Sequence, residues 1–236
     1  MKTTIKYRVL ILASIILYIG DLNAVPADYE AVYSVKLMQA DGTLRAKLKN
    51  NNGTYSYTLT TEPTGFWKLI ANGSINESSQ FEIIDGEIKS INYRLNDTIR
   101  RNPRESVVDF DWSKKTIQGF YKDRMIDFNI ERRILTRILL QIEIMHQKQR
   151  NNLKDSYLII DKDEIKEIEI TSSNSGKKIS VPFGSYEVVE VSHRSKNSIR
   201  INTFWLAPDL DFIPVKLEQT EGNKVNFEAN LVQLTR

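Results

Sequence analysis

Apolar side chains fall on every second position through most of this chain. Tyr29, Ala31, Tyr33, Val35 and Leu37 alternate with polar or small residues, and Leu44, Ala46 and Leu48 alternate with Arg45, Lys47 and Lys49 beyond an Asp41-Gly42 turn. A period of two places alternate side chains on one face of a strand, so this stretch predicts a hairpin. Asn52-Gly53 separates it from Tyr55, Tyr57 and Leu59, and a break from Pro63 to Gly65 precedes an apolar run at 66–71 that reads as another strand. Further strands are expected at 81–84, at 88–95 after Asp85-Gly86, and at 107–112, 117–121 and 125–130.

The rhythm changes once. Between Asn129 and Arg150 the residues Ile134, Ile138, Ile142 and Met145, joined by Leu135 and Leu139, recur at helical spacing. Arg132, Arg133, Arg137, Gln141, Glu143, Gln147 and Lys148 take the other side. That pattern predicts one amphipathic helix over 129–150, lying on a sheet with its polar back in water. Leu140 and Ile144 break it: four residues apart, they form a second apolar ridge on the polar face, available to a loop, a partner or a ligand. Period two then returns at 157–160, 165–171, 186–193, 199–205, 215–219 and 225–231, with a polar loop expected at 172–178. Short connections with frequent turn signals predict a mainly β fold. The expected architecture is an antiparallel meander curled into a barrel or half-barrel, which removes its edges, with the one helix packed on it or closing it.

The N-terminus stands apart. Lys2, Lys6 and Arg8 are followed by an apolar run at 9–19 and a small residue, Ala24, so 1–24 reads as a signal peptide cleaved after Ala24. The run is too short to span a bilayer, although left uncleaved it would serve as an N-terminal anchor. Residues 25–236 then form a single β-rich domain, long enough for one core and too short for two, and the expected location is the periplasm. The chain has no cysteine, so even in an oxidising compartment its fold rests on a packed core rather than disulfides.

Charge narrows the partners. Taking three basic residues and one acidic residue of the leader from a formal +3 leaves the remainder at +1, which argues against general nucleic-acid binding. The cluster Arg100, Arg101 and Arg104 offers a local meeting point for an anionic headgroup, or is simply a solvated loop.

Several motifs occur in a recognisable order: Phe110-Asp111-Trp112, the helical segment after it, Val181-Pro182-Phe183-Gly184, and Thr203-Phe204-Trp205-Leu206-Ala207 leading into Ile213-Pro214-Val215-Lys216-Leu217-Glu218. Together they cover most of the domain, and the chain resembles the bacterial domain of unknown function 3108 family. It departs where relatives carry an Asp-Pro-Leu-Ser-like start to the helix; here Arg133-Ile134-Leu135-Thr136 stands instead. The resemblance implies an exported, mostly periplasmic β-protein with no assigned enzymatic activity and no catalytic residues to transfer.

The residues themselves carry little chemistry. His146 and His193 are the only histidines, no Gly-X-Ser-X-Gly elbow or Gly-rich phosphate loop occurs, and a zinc site would have to be built mainly from carboxylates. Asp109 with Asp111, or Asp209 with Asp211 if extended, would share a strand face, and a carboxylate hydrolase is therefore a distant third reading. No enzyme, cofactor or metal is expected. The first reading is a binding protein that holds a lipid or other apolar molecule inside a curled sheet. Its candidate contacts are Trp67, Trp112 and Trp205, with Leu140 and Ile144 near the mouth. Aromatic positions Tyr33, Tyr55, Tyr57, Phe81, Phe128 and Phe227 are placed inward as well, where core packing explains each equally. The second reading is a structural or protein-interaction module of the cell envelope, with a filled interior and an exposed strand edge or helix ridge as its docking surface.

Overall fold

In the computed structural model, which describes residues 27–99 and 101–236, the alternating segments become strands joined mostly by tight turns. The leader at 1–24 and Arg100 lie outside the described residues. The first half is a meander of β1 (Tyr29–Leu37), β2 (Ala40–Asn51), β3 (Thr54–Pro63), β4 (Ile75–Ile84), β5 (Glu87–Asp97), β6 (Arg104–Asp111), β7 (Thr116–Tyr121) and β8 (Arg124–Asn129), with a short helix α1 (Phe66–Ile70) between β3 and β4. A short strand β9 (Ile134–Thr136) and the helix α2 (Leu139–Gln149) follow. The second half comprises β10 (Ser156–Asp161), β11 (Glu164–Val181), β12 (Gly184–Ser195), β13 (Arg200–Ala207), β14 (Ile213–Glu221) and β15 (Lys224–Thr235).

All fifteen strands share one sheet, in the order β8-β7-β6-β5-β4-β3-β2-β1-β15-β14-β13-β12-β11-β10-β9. Each half is a meander of sequential neighbours, and the two are joined where the first strand pairs with the last, from Glu30↔Thr235 to Leu37↔Phe227. Every pair is antiparallel except β9 with β10. We call the end at which β1 finishes the upper rim and the other the lower rim.

Alternation decides which face turns inward. Tyr33 and Val35 of β1, Leu44 and Ala46 of β2, Tyr57 of β3, Phe81 of β4 and Ala229 of β15 are buried on the concave side. A twisted sheet this wide must curl. It curls past closure without a backbone ladder joining its two edge strands, β8 and β9. The β9 edge tucks against the inner face of β4 and β5, where Thr136 Oγ1 donates to Ser79 Oγ at 3.0 Å and the backbone N–H of Thr136 donates to Ser90 Oγ at 3.3 Å. Strands β6, β7 and β8 continue past it, and Arg124 on β8 reaches Asp163, in the turn between β10 and β11, at 2.7 Å.

Four expectations change. The run at 66–71 is helical: at the rim it has no strand to pair with, and local bonds such as Ala71 N–H to Trp67 O at 2.8 Å satisfy its backbone. The first turn falls at Met38-Gln39, so Asp41 and Gly42 lie within β2, where a Cβ at Gly42 would sit 2.8 Å from the Glu62 carbonyl oxygen. The polar stretch 172–178 belongs to β11, with a register irregularity between Ser173 and Lys177.

The helix changes most. It starts at Leu139 rather than Asn129, because Ile134, Leu135 and Thr136 extend alongside β10 instead. It also has no wet back: Leu140 and Ile144 are buried, and so are Gln141, Glu143, His146 and Gln147. α2 runs down the inside of the curled sheet, with Leu139, Ile142, Ile144 and Met145 fully enclosed. Its polar groups find partners there. Glu143 accepts from Arg133 Nη1 and Nη2 at 2.9 and 2.8 Å, and Gly86 O faces His146 Nε2 at 3.0 Å and Gln147 Nε2 at 3.3 Å.

Candidate functional site

The five residues expected to contact a ligand do not come together. Leu140 and Ile144 are core side chains of α2 and are not at a mouth. Trp67 sits half-buried on α1 at the upper rim, away from the interior. Trp205 lies on the outer face: its neighbour Phe204 is in register with the inward Leu217 and Ala229, which places Trp205, opposite Lys216, on the other side. Period two identifies residues that share a face, but an outer face can be covered too. The long β11–β12 hairpin does so, its tip held by the Phe183 N–H donating to Leu231 O at 3.0 Å.

The groove left beneath that hairpin has a volume of about 680 Å³ and is lined by Lys177, Ile179, Val181, Trp205, Lys216 and Asn230. Two ammonium groups flank the indole, Lys216 at 5.0 Å and Lys177 at 5.7 Å from its centre. Lys216 is already shared by Glu218 and Glu228, at 3.0 and 3.1 Å, so little positive charge is free to attract an anion.

Trp112 alone of the five opens onto a cleft beside the buried helix. About 380 Å³ lies at the lower rim between Ile84, Ile88, Trp112, Ile130 and Arg132. The indole is fixed: its Nε1 donates to Ser90 O at 2.7 Å, Phe110 stacks at 6.0 Å, and Lys89 Nζ lies 5.0 Å over the ring. Arg133 also borders the cleft, but its guanidinium is turned inward to Glu143 and to Ile88 O at 3.2 Å. The arrangement suits a small, partly apolar molecule. It offers no aligned nucleophile and base.

The carboxylate pairs are otherwise committed. Asp109 bonds Arg94 at 2.7 Å on the surface. Asp111 Oδ1 accepts from Ser113 Oγ and from the backbone N–H groups of Ser113 and Lys114, and these bonds, the Ser113 hydroxyl foremost, hold its carboxyl well below the usual range. Asp209 is in a 3-10 turn (Pro208–Leu210), and Asp211 adopts a left-handed conformation, paired with Arg236 at 2.9 Å, so the two share no strand face. Among the described residues no group of three His, Asp or Glu side chains is placed to hold a metal ion. Of the basic run, Arg104 is engaged with Asp97 at 2.8 Å.

A second acid, Glu77, is buried on the inner face and escaped the sequence reading. It accepts from Tyr93 OH and from Arg137 Nε and Nη2, each at 2.6 Å. Burial alone would raise its carboxyl, but Arg137 and Tyr93 outweigh that and keep it below the ordinary value. The group is therefore a fixed anion rather than a proton donor.

His193 faces inward beside Phe204, with ring centres 4.9 Å apart and a shielded Nε2 lacking a partner. Burial pushes its imidazole down to about 4. A depressed histidine must stay neutral in the fold, so its contribution is complete above the unfolded value of about 6.5 and is lost as pH falls through that value towards 4. Wild type is expected to lose about 2–3 kcal/mol more than His193→Gln across this window. Urea titrations at several pH values measure the difference, and parallel curves would refute it.

No curated protein matches the chain. Among solved structures it is similar to a beta-barrel-like protein of domain of unknown function DUF1849 from Brucella abortus, with 12% identity, a TM-score of 0.56, and coverage of 89% of this chain and 98% of that one. At that identity the likeness concerns the fold alone. Residues 28–229 match the family described as protein of unknown function (DUF3108), and the chain belongs to that family.

Proposed function

We propose that this chain is a non-catalytic protein of the cell envelope, exported to the periplasm by its N-terminal segment, that works by binding through its surface. The observation that carries this reading is α2 inside the curled sheet: its apolar residues and its paired Glu143 occupy the space an enclosed lipid would need. The sheet becomes a solid frame. Among the described residues, strand β8 pairs only with β7, so it presents one side of its backbone to a partner strand, and Met125 on it is exposed.

A narrower ligand reading rests on the Trp112 cleft, whose volume admits a small apolar molecule at the rim but not a diacyl lipid inside the frame. Native mass spectrometry of the chain recovered from the periplasm, followed by solvent extraction, tests both. The expected result is a chain processed after Ala24 and free of extractable lipid. An added mass that extracts as lipid would overturn the solid-frame reading, and an unprocessed cytoplasmic chain would overturn the export reading. A small added mass lost in Trp112→Ala would place a ligand in the cleft.

A further inference from the structure

Among the described residues, eight of the eleven exposed large apolar side chains lie along one stretch of the upper rim. Neighbouring connections in the sheet carry them in order. Helix α1, at the top of β3, exposes Phe66 at 69%, Leu69 at 82% and Ile70 at 60%. The adjacent β1–β2 turn exposes Leu37 and Met38, and the next, β14–β15, exposes Val225. The β12–β13 turn completes the row with Ile199 and nearby Ile201. Isolated exposed apolar residues are ordinary, but a row of them on four separate connections at one end is not.

We propose that this rim rests on the surface of an anionic lipid bilayer, with α1 entering the headgroup layer. Three features favour a bilayer over a protein partner. The apolar groups stand on α1, on turns or within two residues of a strand end, exposed along one end of the sheet rather than lining a concave pocket, which suits a soft planar phase. The sequence of α1, Phe-Trp-Lys-Leu-Ile, combines large apolar side chains with an indole and an ammonium group, the chemistry that settles at a membrane interface. The charge also complements an anionic surface: with Arg200 paired to Glu221 at 3.5 Å and Lys196 to Glu167 at 3.6 Å, Lys36, Lys68 and Lys224 on these connections remain against Asp41 and Glu62. No side chain of α1 is buried, so the helix holds none of the core together and is free to face another phase.

This contact is separate from the β8 edge and from the Trp112 cleft, and it survives or fails independently of them. The test is co-sedimentation of the full chain with vesicles of phosphatidylethanolamine and phosphatidylglycerol, comparing wild type with Leu69→Glu/Ile70→Glu. Both carry the same N-terminus, so any binding through 1–24 cancels. The double variant is expected to partition at least about tenfold less, since two apolar insertions are lost. Lys68→Glu is expected to weaken binding to these vesicles while leaving binding to purely zwitterionic ones unchanged. Brominated acyl chains should quench wild-type fluorescence, and Trp67→Phe should remove the quenched component, because Trp112 and Trp205 lie elsewhere. Unchanged thermal unfolding of the variants establishes that the fold is intact. Equal partitioning of wild type and double variant overturns the proposal. So does a wild type that ignores vesicles but self-associates through the same residues, which would make the rim a protein interface.

Discussion

Replacing Arg133 by alanine is expected to lower the unfolding free energy by about 3–5 kcal/mol. The reason is the carboxylate it leaves behind. Glu143 is fully enclosed on α2, in the middle of the curled sheet, and Arg133 meets both its oxygens from a position only 18% exposed. Without the guanidinium, an anion stays in an apolar interior with no counter-charge, and the Ile88 carbonyl loses a donor as well. The pair itself is worth far less than its breaking costs. Arg133→Met combined with Glu143→Leu, apolar on both sides, is expected to recover most of the loss, to within about 1–2 kcal/mol of wild type. Urea unfolding of the three proteins measures both effects. A single variant as stable as wild type would mean that water reaches Glu143.

Ile144→Ala and Leu140→Ala are each expected to cost about 2–5 kcal/mol. Both side chains are enclosed on α2, so truncation leaves a cavity that the surrounding strands cannot collapse to fill. A residue lining an open binding mouth would behave differently, with water entering the space and the loss staying near the transfer term alone. Unfolding midpoints therefore discriminate a filler from a lining residue without any knowledge of a ligand. Losses below about 1 kcal/mol at both positions would reopen the case for a ligand-sized interior.

Arg133 shows why part of the fold was legible and part was not. The strands follow from alternation, and the Asn52-Gly53 and Asp85-Gly86 turns adopt the positive φ values, 54° with 95° and 54° with 76°, that such pairs favour. Glu143 and Gln147 look like the wet side of a helix because a polar residue in sequence carries no mark of its partner. The partner of Glu143 is a side chain ten residues upstream, and that of Gln147 is the Gly86 carbonyl on a distant turn. The start of the helix was hidden for a related reason. Ile134 and Leu135 fit a helical stripe and a buried strand equally well, and pairing with Leu158 and Ile159 decides for the strand. Of the candidate contacts, Trp112 does border a cleft beside the core. Trp205 does not reach the interior, and alternation cannot reveal that the 32-residue hairpin of β11 and β12 lies over the outer face it occupies. The rim residues of α1 form a short apolar run with no alternation, which predicts a strand as readily as a helix until the absence of a pairing neighbour is known.

The pairing of the first strand with the last gives the molecule a history as well as a shape. Tyr33 emerges early in synthesis, yet the strand that seals its side of the sheet carries Leu231, and the bond from its hydroxyl waits for Pro214. Contacts so far apart along the chain form slowly, because a long loop must close before they repay its entropy. Until β15 is available, β1 is a bare edge on that side, and the two meanders meet only across the opposite seam, where β9 lies against β4 and β5 and Arg124 reaches Asp163. Time of assembly is thus set at the carboxyl end: a chain shortened by its last strand would lose the seam on which both halves depend, although nearly all of its sequence remained.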